Sequence, residues 1–124
     1  FKKVVLALVD AELTPVIHFQ GNWDTRLEYF TEFPRGKTIG LFDRTDLFKA
    51  KAILGDTMCL CGNMPLTLLR TGSADEIRDY ARKLIEVVGK DGGFIMSSNT
   101  VLDDADPARV KLWIDTTREY DVYR

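Results

Sequence analysis

Thr38-Ile39-Gly40-Leu41-Phe42-Asp43-Arg44-Thr45-Asp46 is the stretch that decides the fold. A short apolar run ends in a polar turn, and a helical pattern opens directly behind it. The same break recurs at His18-Phe19-Gln20-Gly21-Asn22, at Cys59-Leu60-Cys61-Gly62-Asn63 and at Ser97-Ser98-Asn99-Thr100. Four strand-then-helix units in a row predict an α/β chain with a parallel sheet. In such folds the chemistry sits at the carboxyl ends of the strands, where these four breaks fall.

Working outward, residues 1–12 fit a helix with Phe1, Val4 or Val5, Leu8 and Ala11 on one face. Thr14 to Phe19 reads as a strand with Pro15 near its start. Residues 24–33 read as a helix with Asp24 as N-cap and with Leu27, Phe30 and Tyr29 turned inward. Thr38 to Phe42 is a second strand, Asp46 to Leu54 a short helix closed by Gly55, and Thr57 to Cys61 a third strand. Gly62-Asn63-Met64-Pro65 reads as a tight turn, followed by one helical turn from Pro65 to Leu69. Ser73 and Glu76 form a capping box for a long helix through Ile77, Tyr80, Ala81, Leu84 and Val88. Asp91-Gly92-Gly93 turns the chain into a fourth strand, Phe94-Ile95-Met96. Asp106 and Pro107 open the last helix, whose inner face is Val110, Ile114 and Trp113 or Thr117.

The strands are continuously apolar, which predicts a parallel sheet covered on both sides or the staves of a barrel. A (β/α)8 barrel needs about 250 residues, and this chain has 124. The expectation is one unit over residues 1–124, the carboxyl-terminal half (about four βα units) of a TIM (β/α)8 barrel. Such a half has open edges and is expected to pair with a second copy or with a missing amino-terminal half. The chain opens at Phe1 in mid-helix, as a fragment of a longer polypeptide would, and the isolated fragment is expected to be inactive.

Hydrophobic residues make up 45%, charged residues 29%, and the net charge is −2 with basic residues dispersed. No basic stripe suggests nucleic acid, and no apolar run is long enough for a bilayer. Phe1-Lys2-Lys3 before Val4 to Val9 imitates a signal peptide, but Asp10 and Glu12 interrupt it and no small-residue cleavage site follows. Cys59 and Cys61 share one strand face and are poorly placed for a disulfide. Together these features predict a cytoplasmic protein.

His18 is the sole histidine and ends the first strand. It reads as a proton donor or the one weak metal candidate, or else as a satisfied barrel-lining side chain. Asp43 ends the second strand, as a general base, a holder of a cationic substrate, a partner of Arg44, or a cap of the next helix, which Thr45 and Asp46 could also be. Gln20, Asn22 and Asn63 could orient a substrate, although Asn22 could equally serve the turn after Gly21. Ser98 and Asn99 lie where barrels often bind phosphate or carboxylate. Cys59-Leu60-Cys61 lacks the second pair or further histidine of a metal site, so small buried hydrophobes are the reading for both thiols. No tightly bound cofactor is expected.

The order His18-x-x-Gly21-Asn22, Gly40-Leu41-Phe42-Asp43, Leu60-Cys61-Gly62-Asn63-Met64-Pro65 and Gly92-Gly93-Phe94-Ile95 resembles the carboxyl-terminal half of the uroporphyrinogen decarboxylase superfamily. The resemblance covers essentially the whole chain and implies staves five to eight of a (β/α)8 barrel. That superfamily includes haem-pathway decarboxylases and methyltransferases that use a corrinoid. In its thiol-methylating members, zinc is held by His-x-Cys after the fifth strand and by a Cys after the eighth. Here His18 matches the histidine, Gln20 replaces the first cysteine, and Asn99-Thr100 stands in place of the last, a poor donor set for zinc. The resemblance therefore implies methyl transfer from a corrinoid supplied by a partner protein to an acceptor that needs no zinc-bound thiolate. His18 and Asp43 would be catalytic, with Gln20, Asn22, Asn63, Ser98 and Asn99 binding substrate. The alternatives are decarboxylation of a uroporphyrinogen-like tetrapyrrole, with Asp43 facing pyrrole N–H groups, and a non-catalytic barrel that binds a tetrapyrrole or a partner.

Overall fold

The computed structural model describes residues 1–121. Helix α1 (Lys2–Asp10) leads into strand β1 (Val16–Phe19), and a 3₁₀ turn (Leu27–Phe30) leads into β2 (Ile39–Phe42). Helix α2 (Leu47–Leu54), strand β3 (Cys59–Met64), and helices α3 (Leu66–Thr71) and α4 (Ala74–Lys83) follow. Helix α4 runs on as a π-helical turn, Leu84–Val88, before β4 (Phe94–Ser98) and α5 (Pro107–Tyr120). All strands are parallel, in the order β1-β2-β3-β4. Parallel crossovers share one hand, so a sheet that adds strands in sequence order carries every connection on the same face.

Burial along the strands records that one-sided cover. Ile17, Phe19, Phe42 and Leu60 are buried against Leu27, Phe30, Leu47, Leu54, Leu84 and Val88. The opposite face carries the row His18, Leu41, Cys61 and Ile95 in direct register. Beside it lies the row Val16, Ile39 and Cys59. Val16 is 60% exposed and Ile95 46%. Of the two expectations, cover on both faces or barrel staves, the one-sided cover fits the staves, because no connection among the described residues crosses to the other face.

Phe19 and Phe42 stack at a centroid separation of 4.5 Å with rings 4° from parallel. Phe30 and Trp23 meet Phe19 edge-on at 4.9 and 5.5 Å. Gly40 makes room for this cluster. A Cβ there would lie 2.8 Å from both the Met58 sulfur and the Phe42 ring, and 3.2 Å from Phe19.

Several local expectations are corrected. Only Leu27–Phe30 coils within 24–33, and as a 3₁₀ turn. Buried Leu27, Phe30 and Phe33 recur every third residue, the spacing that a 3₁₀ turn stacks in one row. Asp24 caps no helix of its own, because its Oδ1 accepts from the Asp46 N–H at 2.8 Å. Tyr29 is exposed. Helix α1 buries Val5 alone and leaves Val4 exposed, while the Phe1 ring meets Phe30 edge-on at 5.8 Å.

Strand β3 continues through Gly62, Asn63 and Met64, which pair with Met96, Ser97 and Ser98. Gly62 has φ 141°, and a Cβ there would meet the Phe42 carbonyl at 2.6 Å. The glycine therefore permits close strand approach rather than a turn. Strand β4 is correspondingly longer than Phe94–Met96. On α5 the buried side chains are Trp113 and Thr116, and Ile114 is exposed. Trp113 packs on Met64, Leu69, Ile77 and Ala81, which sets the helix rotation.

Three caps form as expected. Asp46 accepts from the N–H groups of Phe48 and Lys49, Ser73 and Glu76 make a reciprocal capping box, and Asp106 accepts from the Ala108 N–H. Asp91, Gly92 and Gly93 all have positive φ, at 64°, 85° and 73°, in the turn below β4.

Two outcomes follow. Gly40→Ala overpacks the Phe19–Phe42 stack and should destabilise the fold by about 1–3 kcal/mol in denaturant unfolding. Cys59 and Cys61 are half-buried on the bare face, and burial is the leading cause that pushes both thiols above the usual range. They should stay protonated at neutral pH, so iodoacetamide should modify them more slowly than a free cysteine. The rate should climb only as the pH passes above the ordinary thiol range, as mass spectrometry of the labelled chain can check.

Candidate active site at the strand ends

The turns after β1 and β2 are laced together. Asp43 Oδ1 accepts from the N–H groups of Gly21 and Arg44, both at 2.7 Å. The Trp23 N–H donates to Thr45 Oγ1 at 2.9 Å, and Thr45 Oγ1 donates to the Gly21 carbonyl at 3.5 Å. The Asp24 bond to the Asp46 N–H completes the seam. Asp43 therefore spends one oxygen on the backbone. Its other oxygen, Oδ2, stands 3.9 Å from His18 Nε2 at the rim of the bare face. That distance exceeds a hydrogen bond. The His18 side chain is 57% exposed and that of Asp43 19%, so the imidazole is reachable and the carboxylate is held in place.

Asn63 is buried at the end of β3. Its amide nitrogen donates to the carbonyls of Thr45 at 2.7 Å and Asp43 at 3.3 Å. Its Oδ1 accepts from the Tyr80 hydroxyl at 3.3 Å. Burial, followed by the nearby Asp46 charge, pushes the Tyr80 phenol above its ordinary range and keeps it a donor. Asn99 Oδ1 accepts from the Leu66 N–H at 3.0 Å, and the Asn99 N–H donates to the Met64 carbonyl at 2.9 Å. Asp43, Thr45, Asp46, Asn63, Tyr80 and Asn99 line a cavity of about 440 Å³ on the helix side of the strand ends.

The structure thus brings His18 and Asp43 together on the bare face, and Asp43, Asn63 and Asn99 around the cavity behind it. Asn22 turns back on its own loop, where Oδ1 accepts from the Asp24 N–H at 2.8 Å. The Ser98 hydroxyl donates to the Thr100 carbonyl at 2.6 Å. Gln20 is exposed, and only its carbonyl is engaged among the described residues, by the Trp23 indole N–H at 2.9 Å. Trp23 itself packs, with the Arg26 guanidinium 4.3 Å above its ring. Among the described residues, no three His, Cys, Asp or Glu side chains are grouped to share a metal ion, and no helix is long and apolar enough to cross a membrane. Another hollow of about 470 Å³, between the π-helical turn and α5, contains none of the candidate residues.

Thr45 and Tyr80 were not evident as site residues from sequence. Tyr80 falls on the apolar stripe of α4, where it reads as core, and Thr45 reads as one of three N-cap candidates, with Asp43 and Asp46. Only the strand register reveals that both meet Asn63.

Comparison with known proteins bears on the family of the chain. A family model for uroporphyrinogen decarboxylase (URO-D) matches residues 1–120. The uroporphyrinogen decarboxylase of Chlorobium phaeovibrioides is 34% identical over 109 residues, covering 85% of this chain and 30% of that protein. That of Chlorobium phaeobacteroides is 33% identical over 113 residues, covering 88% and 32%. That of Chlorobaculum tepidum is 30% identical over 109 residues, covering 85% and 30%. The match spans under a third of the length of these relatives. Over the residues that carry the strand-end turns, the chain belongs to the uroporphyrinogen decarboxylase family.

Proposed function

We propose that this chain is one wall of a (β/α)8 barrel enzyme that decarboxylates a uroporphyrinogen-like tetrapyrrole. The observation that carries the proposal is the His18–Asp43 pair, with Asp43 Oδ1 pinned by two backbone N–H groups and Oδ2 left facing the imidazole. The names of the relatives support decarboxylation. Methyl transfer from a partner-bound corrinoid, the first expectation from sequence, draws no support from them and gives way to it.

Loss of CO2 breaks a carbon–carbon bond and leaves its electron pair on the side-chain carbon, which must then take up a proton. A pyrrole ring that first takes a proton from solvent on an α-carbon carries positive charge at its N–H, receives that pair as CO2 leaves, and returns the ring proton to solvent once the side-chain carbon has been protonated. A fixed carboxylate placed against the N–H stabilises this cation, which the neutral substrate lacks, and so lowers the barrier to reaching it. Asp43 Oδ2 fills that role, held by bonds that need no rearrangement during reaction. His18 lies within reach to donate the proton. Gln20 contacts a substrate carboxylate at the rim, Asn63 keeps the turn after β2 in place, and Asn99 the turn after β3.

A tetrapyrrole held at this rim must be shielded from water, and the bare sheet face must be covered. The working particle therefore includes the rest of a barrel or a second copy of this chain. The unpaired edges of β1 and β4 favour the same conclusion.

In the full-length polypeptide, His18→Gln and Asp43→Asn should each lower kcat for uroporphyrinogen by about 100-fold or more, read by mass spectrometry of the products. A wild-type protein that releases no CO2 but methylates an acceptor from methylcobalamin would overturn the reading, and one that binds the tetrapyrrole without turnover would favour a binding role. Light scattering of the isolated chain should show association, and a monodisperse monomer would sink the claim that its bare face needs cover.

A further inference from the structure

We propose that Tyr80 is a positioning residue for the Asp43 carboxylate and acts through Asn63. The proposal rests on the reading of Asp43 as the group that faces the substrate. Tyr80 sits on α4, on the covered side of the sheet, and belongs to the helix-side cavity rather than to the bare face. Its hydroxyl donates to Asn63 Oδ1, and the Asn63 amide nitrogen holds the carbonyls of both Asp43 and Thr45. The three bonds are mutually dependent. A reversed amide would set its oxygen against two carbonyl oxygens and its nitrogen against the hydroxyl, so the Tyr80 donor and the two carbonyls select one orientation.

Through that amide the backbone of Asp43 is held from below. From above, the Gly21 and Arg44 N–H groups hold its Oδ1. With the carbonyl fixed at one end and one carboxylate oxygen at the other, the direction of Oδ2 toward His18 has little freedom. The Thr45 carbonyl, held by the same amide, ties in the hydroxyl that bonds to Trp23 and Gly21. One phenol hydroxyl thus reaches both turns. Removing it leaves a buried Asn63 oxygen without a partner, and that cost is relieved when the amide moves and releases the two carbonyls.

The test is Tyr80→Phe in the full-length polypeptide, which keeps the ring and its edge contact with Phe48. The expected result is a fall in kcat for uroporphyrinogen of about tenfold, the factor one lost hydrogen bond is worth, with KM unchanged. Amide hydrogen exchange at Gly21 and Arg44 should speed up in the same variant. A kcat within a factor of about two of wild type, or a lost kcat with Gly21 and Arg44 exchange unchanged, would overturn the proposal. Asp43→Asn, assayed alongside, keeps the two failures apart. Full activity in that variant defeats the reading of Asp43, whereas an inactive Asp43→Asn beside an unaltered Tyr80→Phe defeats only the role given to Tyr80.

Discussion

The stack of Phe19 on Phe42 above the empty side-chain position of Gly40 is the contact on which the rest depends. It fixes β1 against β2 with Phe19 opposite Phe42 and His18 opposite Leu41. In a strand, side chains alternate between faces. A slip of one residue would send His18 into the helix layer and Phe19 onto the bare face. The same register brings the turn after β1 beside the turn after β2, so that the Gly21 N–H can reach the Asp43 carboxylate. Packing on the covered side therefore sets geometry on the open side.

That coupling explains how polar groups are distributed at the strand ends. Asp43 lies between two environments. Toward the helices, its carbonyl belongs to the network of buried Asn63 and Thr45 with half-buried Tyr80, in which each side chain is bonded. Toward the bare face, its Oδ2 meets only an exposed imidazole. A buried network with every member satisfied is rigid, and a rigid support lets a single free oxygen act as a directed acceptor. The four bonds that lace the first two turns serve the same end, since each ties one turn to the other.

Much of this was legible in the sequence because its signals are local. Asp46, Ser73 with Glu76, and Asp106 with Pro107 announce their helices through side chains that satisfy nearby N–H groups. The short apolar runs announce the parallel strands. What was not legible depended on partners distant in the chain. Gly62 reads as a turn residue until β2 is alongside, when the Phe42 carbonyl accounts for it. Asp24 reads as the cap of its own helix, yet its carboxylate serves Asp46. The uniform hydrophobicity of the strands left open cover on both faces or barrel staves, because apolar composition on the bare face says only that something must cover it. His18 and Asp43 were singled out because reactive residue types stand at their strand ends, and the register sets them side by side. Tyr80 was hidden by its place in an apolar stripe.

The turn at Asp91-Gly92-Gly93, with three successive positive φ angles, has a consequence for how such a chain can change over generations. At that end of the sheet the backbone itself is specialised, and almost any new side chain meets a conformational penalty. At the opposite end the turns are held by side-chain bonds, and a residue such as Gln20 can be exchanged without touching a strand pair. Drift is thus confined to one rim while the other stays fixed. A lineage can rewrite its chemistry there and keep its architecture, and sequence divergence should gather on the side where substrates arrive.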